Sequence, residues 1–134
     1  MMDRRSVLCV LPLIWAMTAA QAQDVRPFPV GVTWVAESLA GKAFAQVSLP
    51  TLRITPEGQA QGTSGCNRYT GAATLAGSQI TLGPLAMTRM ACFGAGGDNE
   101  RLFAPAIAQA TAWRMEGRWL VIETARGALR FRRR

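Results

Sequence analysis

The 134-residue chain contains no histidine. That absence excludes Ser-His-Asp and Cys-His nucleophile systems, His-ligated zinc and haem, and the usual group for proton transfer near pH 7. Lysine is nearly absent too, with arginine supplying 14 of the 15 basic residues. Long hydrophobic runs are missing: no uninterrupted apolar stretch reaches the roughly 18 residues of a membrane-spanning helix. Charged residues make up 17% and apolar residues 49%, a globular rather than a disordered composition. The length suits one domain. These absences point away from most enzyme classes, and no metal or other cofactor is expected.

The amino terminus reads as an address. Arg4 and Arg5 precede an apolar stretch over 6–19, and Ala20-Gln21-Ala22 offers a small-x-small cleavage pattern. Residues 1–22 are therefore expected to be a secretory signal peptide cleaved after Ala22, delivering the chain to the periplasm or outside the cell. The competing reading is a buried N-terminal helix. Cys9 lies before the apolar stretch, badly placed for a lipid anchor. The exported chain keeps only Cys66 and Cys92, and an even pair in an oxidising compartment reads as a disulfide.

After a short lead-in over 23–32, the pattern is one of short strands and tight turns over 33–134. Strands are expected at 33–39, 52–55, 59–63, 69–75, 79–82, 112–115, 119–122 and 128–131, separated by Gly-containing turns such as Pro56-Glu57-Gly58 and Glu116-Gly117-Arg118. One segment, 98–110, has helical spacing: Leu102, Phe103, Ala106 and Ile107 share a stripe, with Asp98 as N-cap candidate and Glu100 in the first turn. Pro105 should kink or shorten that helix. The expected fold is mainly β, a small antiparallel barrel-like domain of about eight strands with one helix before the last three.

Unusual residues concentrate in Gly65-Cys66-Asn67-Arg68-Tyr69-Thr70-Gly71 and in Ala86-Met87-Thr88-Arg89-Met90-Ala91-Cys92. On these two runs, with Trp34, Glu100, Leu129 and Phe131 in support, the chain resembles the META domain family (HslJ-like) of bacterial envelope proteins. The resemblance covers roughly 33–132. It implies a compact β-barrel with a helix and an envelope or stress-associated role with links to novobiocin tolerance, in a family with no established catalytic activity. Its motif residues map here onto Gly65, Cys66, Asn67, Arg68, Tyr69, Gly71, Met87, Thr88, Cys92 and Glu100.

Other features carry a sharp and a bland reading. A Cys66 nucleophile would need a base other than histidine, so a structural disulfide is preferred. Gly94, Gly96 and Gly97 imitate a phosphate loop but lack its Lys-Ser/Thr, which favours a flexible connector. Glu57 and Glu116 sit in turns rather than as a glycosidase pair. Trp34, Trp113 and Trp119 lie on alternating strands and are expected in the core rather than around a ligand.

Arg130, Arg132, Arg133 and Arg134 end the chain. They are candidates for weak contact with anionic lipid or lipopolysaccharide, against the simpler reading of a charged strand face that keeps an edge soluble. Two functions follow: a non-enzymatic envelope protein, expected to be a monomer, that binds an unidentified protein or envelope ligand under stress; or a secreted inhibitor of a hydrolase such as lysozyme or a protease, with Phe93 as its exposed anchor. Nucleic acid is not an expected partner.

Overall fold

The computed structural model describes residues 26–134, together with Cys9, Val10 and Pro12. The expected signal peptide lies almost wholly, and its expected cleavage point wholly, outside the described residues. The elements run β1 (Trp34–Leu39), β2 (Lys42–Ala43), β3 (Thr51–Ile54), β4 (Gln59–Thr63), β5 (Arg68–Ala76), β6 (Gln79–Leu82), β7 (Ala86–Met87), α1 (Gly94–Ile107), β8 (Ala110–Glu116), β9 (Trp119–Thr124) and β10 (Gly127–Arg133).

Antiparallel pairing runs β1-β3-β4-β5-β6-β8-β9-β10, and β10 returns to β1, closing an eight-stranded barrel. Closure removes the free edges that an open sheet would present. The expected eight strands are all present. Two short pieces were not anticipated: β2 pairs with β1 and β7 with β5. With two residues each, they are too short to show an alternation.

Period two explains the packing. Leu52 and Ile54, Ile80 and Leu82, Leu120 and Ile122, and Leu129 and Phe131 occupy alternate positions and are all buried. Each such side chain contributes roughly 1.5–3 kcal/mol by leaving water. Val121 lies on the other face yet is buried too, because Arg114 and Arg130 stand opposite it on the neighbouring strands. Arginine stems can cover apolar surface while the guanidinium stays wet. The lead-in also belongs to the core: Phe28 meets Trp113 edge-on at 5.1 Å.

The helix departs from expectation. It spans Gly94–Ile107 instead of 98–110, so the glycine-rich stretch forms its first turn rather than a flexible connector. The N-cap is Phe93, without a side-chain cap bond, while Asp98 pairs with Arg101 one turn along. Leu102 is half-exposed, and Asn99 takes its place on the inner stripe with Phe103, Ala106 and Ile107. Phe103 is the plug, with ring centroids 6.0–6.2 Å from Tyr69, Phe44 and Phe131. Pro105 sits near the carboxyl end and the helix continues two residues beyond it; Gln109 Nε2 then donates to the Pro105 carbonyl at 2.8 Å.

Candidate functional site

The two motif runs meet at the start of α1. The Glu100 carboxylate accepts from Ser64 Oγ at 2.6 Å, Asn67 Nδ2 at 2.6 Å and the Asn67 backbone N–H at 3.1 Å. Asn67 then reaches the second run: its Oδ1 accepts from Met90 N–H at 2.7 Å and Thr88 Oγ1 at 3.1 Å, and its Nδ2 also donates to the Met90 carbonyl. Ser64 and Asn67 are buried. Burial alone pushes the Glu100 carboxyl up. The bonds from the Ser64 and Asn67 side chains and the Asn67 backbone, with the charge of Arg101, outweigh that and hold it below the ordinary carboxylate value.

Gly65 is required where these elements touch. Its φ is +116°, and a Cβ there would lie 2.8 Å from the Gly96 carbonyl and 3.0 Å from the Glu100 backbone nitrogen. Gly71 has another reason. Its φ is not in the left-handed region, but a Cβ would meet the Pro84 carbonyl at 2.7 Å.

Cys66 and Cys92 form a disulfide beside this clamp, with Cα atoms 6.1 Å apart across 26 positions. That lies inside the ~4.4–6.8 Å a bridge requires. The two sulfurs and a Glu100 oxygen lie within 4.8 Å of one another. This is the grouping among the described residues that could hold a metal, and only if the cysteines were reduced, since a thiolate is the ligand form.

Asn99 makes a second clamp that the sequence reading missed. Its Oδ1 accepts from Ala45 N–H at 2.9 Å, and its Nδ2 donates to the Ala45 and Val47 carbonyls at 2.9 and 3.0 Å. The signal was present as a polar residue on an otherwise apolar helical stripe. Tyr69, buried, donates from its hydroxyl to the Thr51 carbonyl at 2.6 Å, and burial raises its phenol far above the usual range.

Elsewhere the candidates separate. Glu116 is engaged by Arg114 at 3.0 Å, and the same guanidinium holds Glu123 at 2.5 Å. Trp34 and Trp113 are buried as expected, whereas Trp119 is partly exposed under Arg130, whose guanidinium carbon is 4.4 Å from the ring centroid. The terminal arginines, all exposed, have different neighbours. Arg132 pairs with Glu37, Arg133 stands 5.9 Å from the Trp34 ring centroid, and Arg134 lines a groove of about 720 Å³ on the outside of β3–β5. Arg68, Thr70, Met87 and Thr88 border that same groove, so part of each motif faces outward.

The comparisons with known proteins agree with this architecture. Residues 28–134 match the META domain. The chain belongs to the META domain family. The matched span takes in Phe28, whose burial already ties the lead-in to the barrel. Among solved structures, this META domain is similar to an NMR structure of a protein from Burkholderia xenovorans, at 28% identity and a TM-score of 0.62, covering 78% of this chain and 83% of that one. A second NMR structure is similar at 25% identity and a TM-score of 0.61, covering 75% and 87%. No curated protein matches.

Proposed function

We propose that this META domain protein is a non-enzymatic binding module of the bacterial envelope that works outside the cytoplasm under stress. The observation that carries the reading is the clamp. Every hydrogen-bonding side chain that the two motifs bury around Glu100 is engaged in holding the fold, and the Cys66–Cys92 bridge suits an oxidising compartment. No helix among the described residues is long and apolar enough to cross a membrane. Basic side chains such as Arg68, Arg133 and Arg134 remain exposed for weak contact with anionic envelope surfaces.

The test has two arms. Mass spectrometry of the exported protein is expected to find its N-terminus at Gln23, and a strain lacking the protein is expected to grow less well under novobiocin. Intact Met1 chain in the periplasm, or unaltered growth under every envelope stress tried, would count against the reading.

One observation favours hydrolase inhibition as a second reading. Phe93 is 92% exposed, and the Cys92 bridge on one side and α1 on the other hold it in place. A rigid aromatic knob of this kind is what a partner's pocket accepts. Inhibition of lysozyme or a protease that Phe93→Ala abolishes would establish it, and failure against a panel of such hydrolases would remove it.

A further inference from the structure

A concavity of about 720 Å³ lies on the outer side of the barrel wall. Along β3, β4 and β5 the inward positions carry Leu52, Ile54, Ala60 and Tyr69, so Arg53, Gln61, Arg68 and Thr70 point the other way. Register sets them in order: Arg53 pairs with Gln61, and Gln61 with Thr70. Arg68 stands two positions back along β5, opposite Thr63. From strand spacing and rise, the Arg53 and Arg68 α-carbons are roughly 12 Å apart. Arg134 lines the same groove.

We infer that this groove binds an acidic saccharide, meaning a sugar body that carries phosphate or carboxylate groups. The inference rests on the envelope-binding reading and names the ligand class for it. No Asp or Glu side chain lines the groove, which carries the guanidinium-bearing residues Arg53, Arg68 and Arg134. Arg53 gives only its Nε to the Gly31 carbonyl, leaving the paired Nη groups. A guanidinium fork matches a carboxylate or phosphate with two parallel bonds. Between the arginines, the Gln61 and Thr70 side chains have no hydrogen-bond partner among the described residues, and they can serve hydroxyl groups as donors or acceptors.

The alternatives fit less well. No aromatic face other than buried Tyr69 lines the groove, which disfavours stacked bases. The three strands are paired on both sides, so an extended peptide finds no edge to extend. The volume of about 720 Å³ matches the size of a small-ligand site.

The experiment is an amide-resolved NMR titration of the exported protein. The probes are trehalose 6-phosphate, digalacturonate, uncharged trehalose and inorganic phosphate, with vesicles of phosphatidylglycerol alone or doped with lipid A as separate arms. The acidic sugars are expected to move the Gln61, Arg68 and Thr70 amides and to bind about tenfold more tightly than trehalose or phosphate. Arg53→Gln and Arg68→Gln are each expected to weaken them about tenfold with an unchanged melting temperature, whereas Arg126→Gln leaves binding intact. If lipid A vesicles engage the same amides, the source is a lipid-anchored headgroup; if only the soluble sugars do, it is a free one. Equal binding of phosphate alone, vesicle binding that spares these amides, or no binding up to about 10 mM would each overturn the proposal. Wild-type growth of the deletion strain with intact saccharide binding would instead sink only the stress reading.

Discussion

The start of α1 and the outer face of β3–β5 hold the polar halves of the same two motifs, yet they treat them in opposite ways. Around Glu100, the side chains of Ser64, Asn67 and Asn99 are buried and fully engaged with one another or with backbone. Across the barrel wall, Arg68 and Thr70, from the same strand as Tyr69, stand exposed. The difference follows from desolvation. A buried polar group without a partner costs a few kcal/mol, so burial selects for internal pairing. An exposed group carries no such penalty and stays available to something outside. Proximity within a motif therefore says little about shared purpose; the face of the strand decides.

The largest expected effect breaks the buried side. Cys66→Ser and Cys92→Ser should each remove roughly 3–4 kcal/mol of stability, the scale set by closing a loop of this size. The double variant should add little to either. Thermal unfolding checks this, and thiol titration of the native exported protein should find none reactive; two reactive thiols would restore the reactive-cysteine reading.

Glu100→Ala should cost roughly 3 kcal/mol, because it strands buried donors on Ser64 and Asn67. Acid reports on the same group. Its folded pKa is depressed, so its contribution is present above the unfolded value near 4.5 and is lost as pH falls through the lower folded one. Stability of the wild type should decline below about pH 4.5, and Glu100→Gln should be less stable at neutral pH but flatter in acid. Chemical denaturation at a series of pH values separates the two. A parallel acid slope in the variant would show that another group controls it.

Asn99→Ala should lower stability by roughly 2–3 kcal/mol, since it frees the backbone of Ala45 and Val47 at once. Hydrogen exchange should then quicken at Ala45, whose amide the side chain now holds. At the small end, Arg132→Gln removes an exposed pair with Glu37 and should change stability by less than about 1 kcal/mol. A larger loss there would mean that the outer face is structural and would weaken the contrast between the two regions.

Much of the barrel was legible in the residues. Leu52-Arg53-Ile54 and Leu129-Arg130-Phe131 alternate cleanly, and glycine turns separate the strands, so the individual strands and their buried faces follow from period two. The helix was legible from Phe103 onward but not at its start. Gly94, Gly96 and Gly97 have poor intrinsic helix propensity, each about 1 kcal/mol behind alanine. Anchors distant in sequence hold that turn in place: the Cys66 bridge just before it, and the contacts of Ala45 and Ser64 just after.

The eight strands, the helical stripe around Phe103 and the absence of histidine were determined by composition and local pattern, because each depends on residue type or on spacing within one element. Closure of β10 on β1, the convergence of Ser64 and Asn67 on Glu100, and the neighbours that each of the last four arginines meets were decided only in three dimensions. These depend on strand register and on which side of a curved wall a side chain leaves. A one-residue shift reverses both, and only the packed core fixes them.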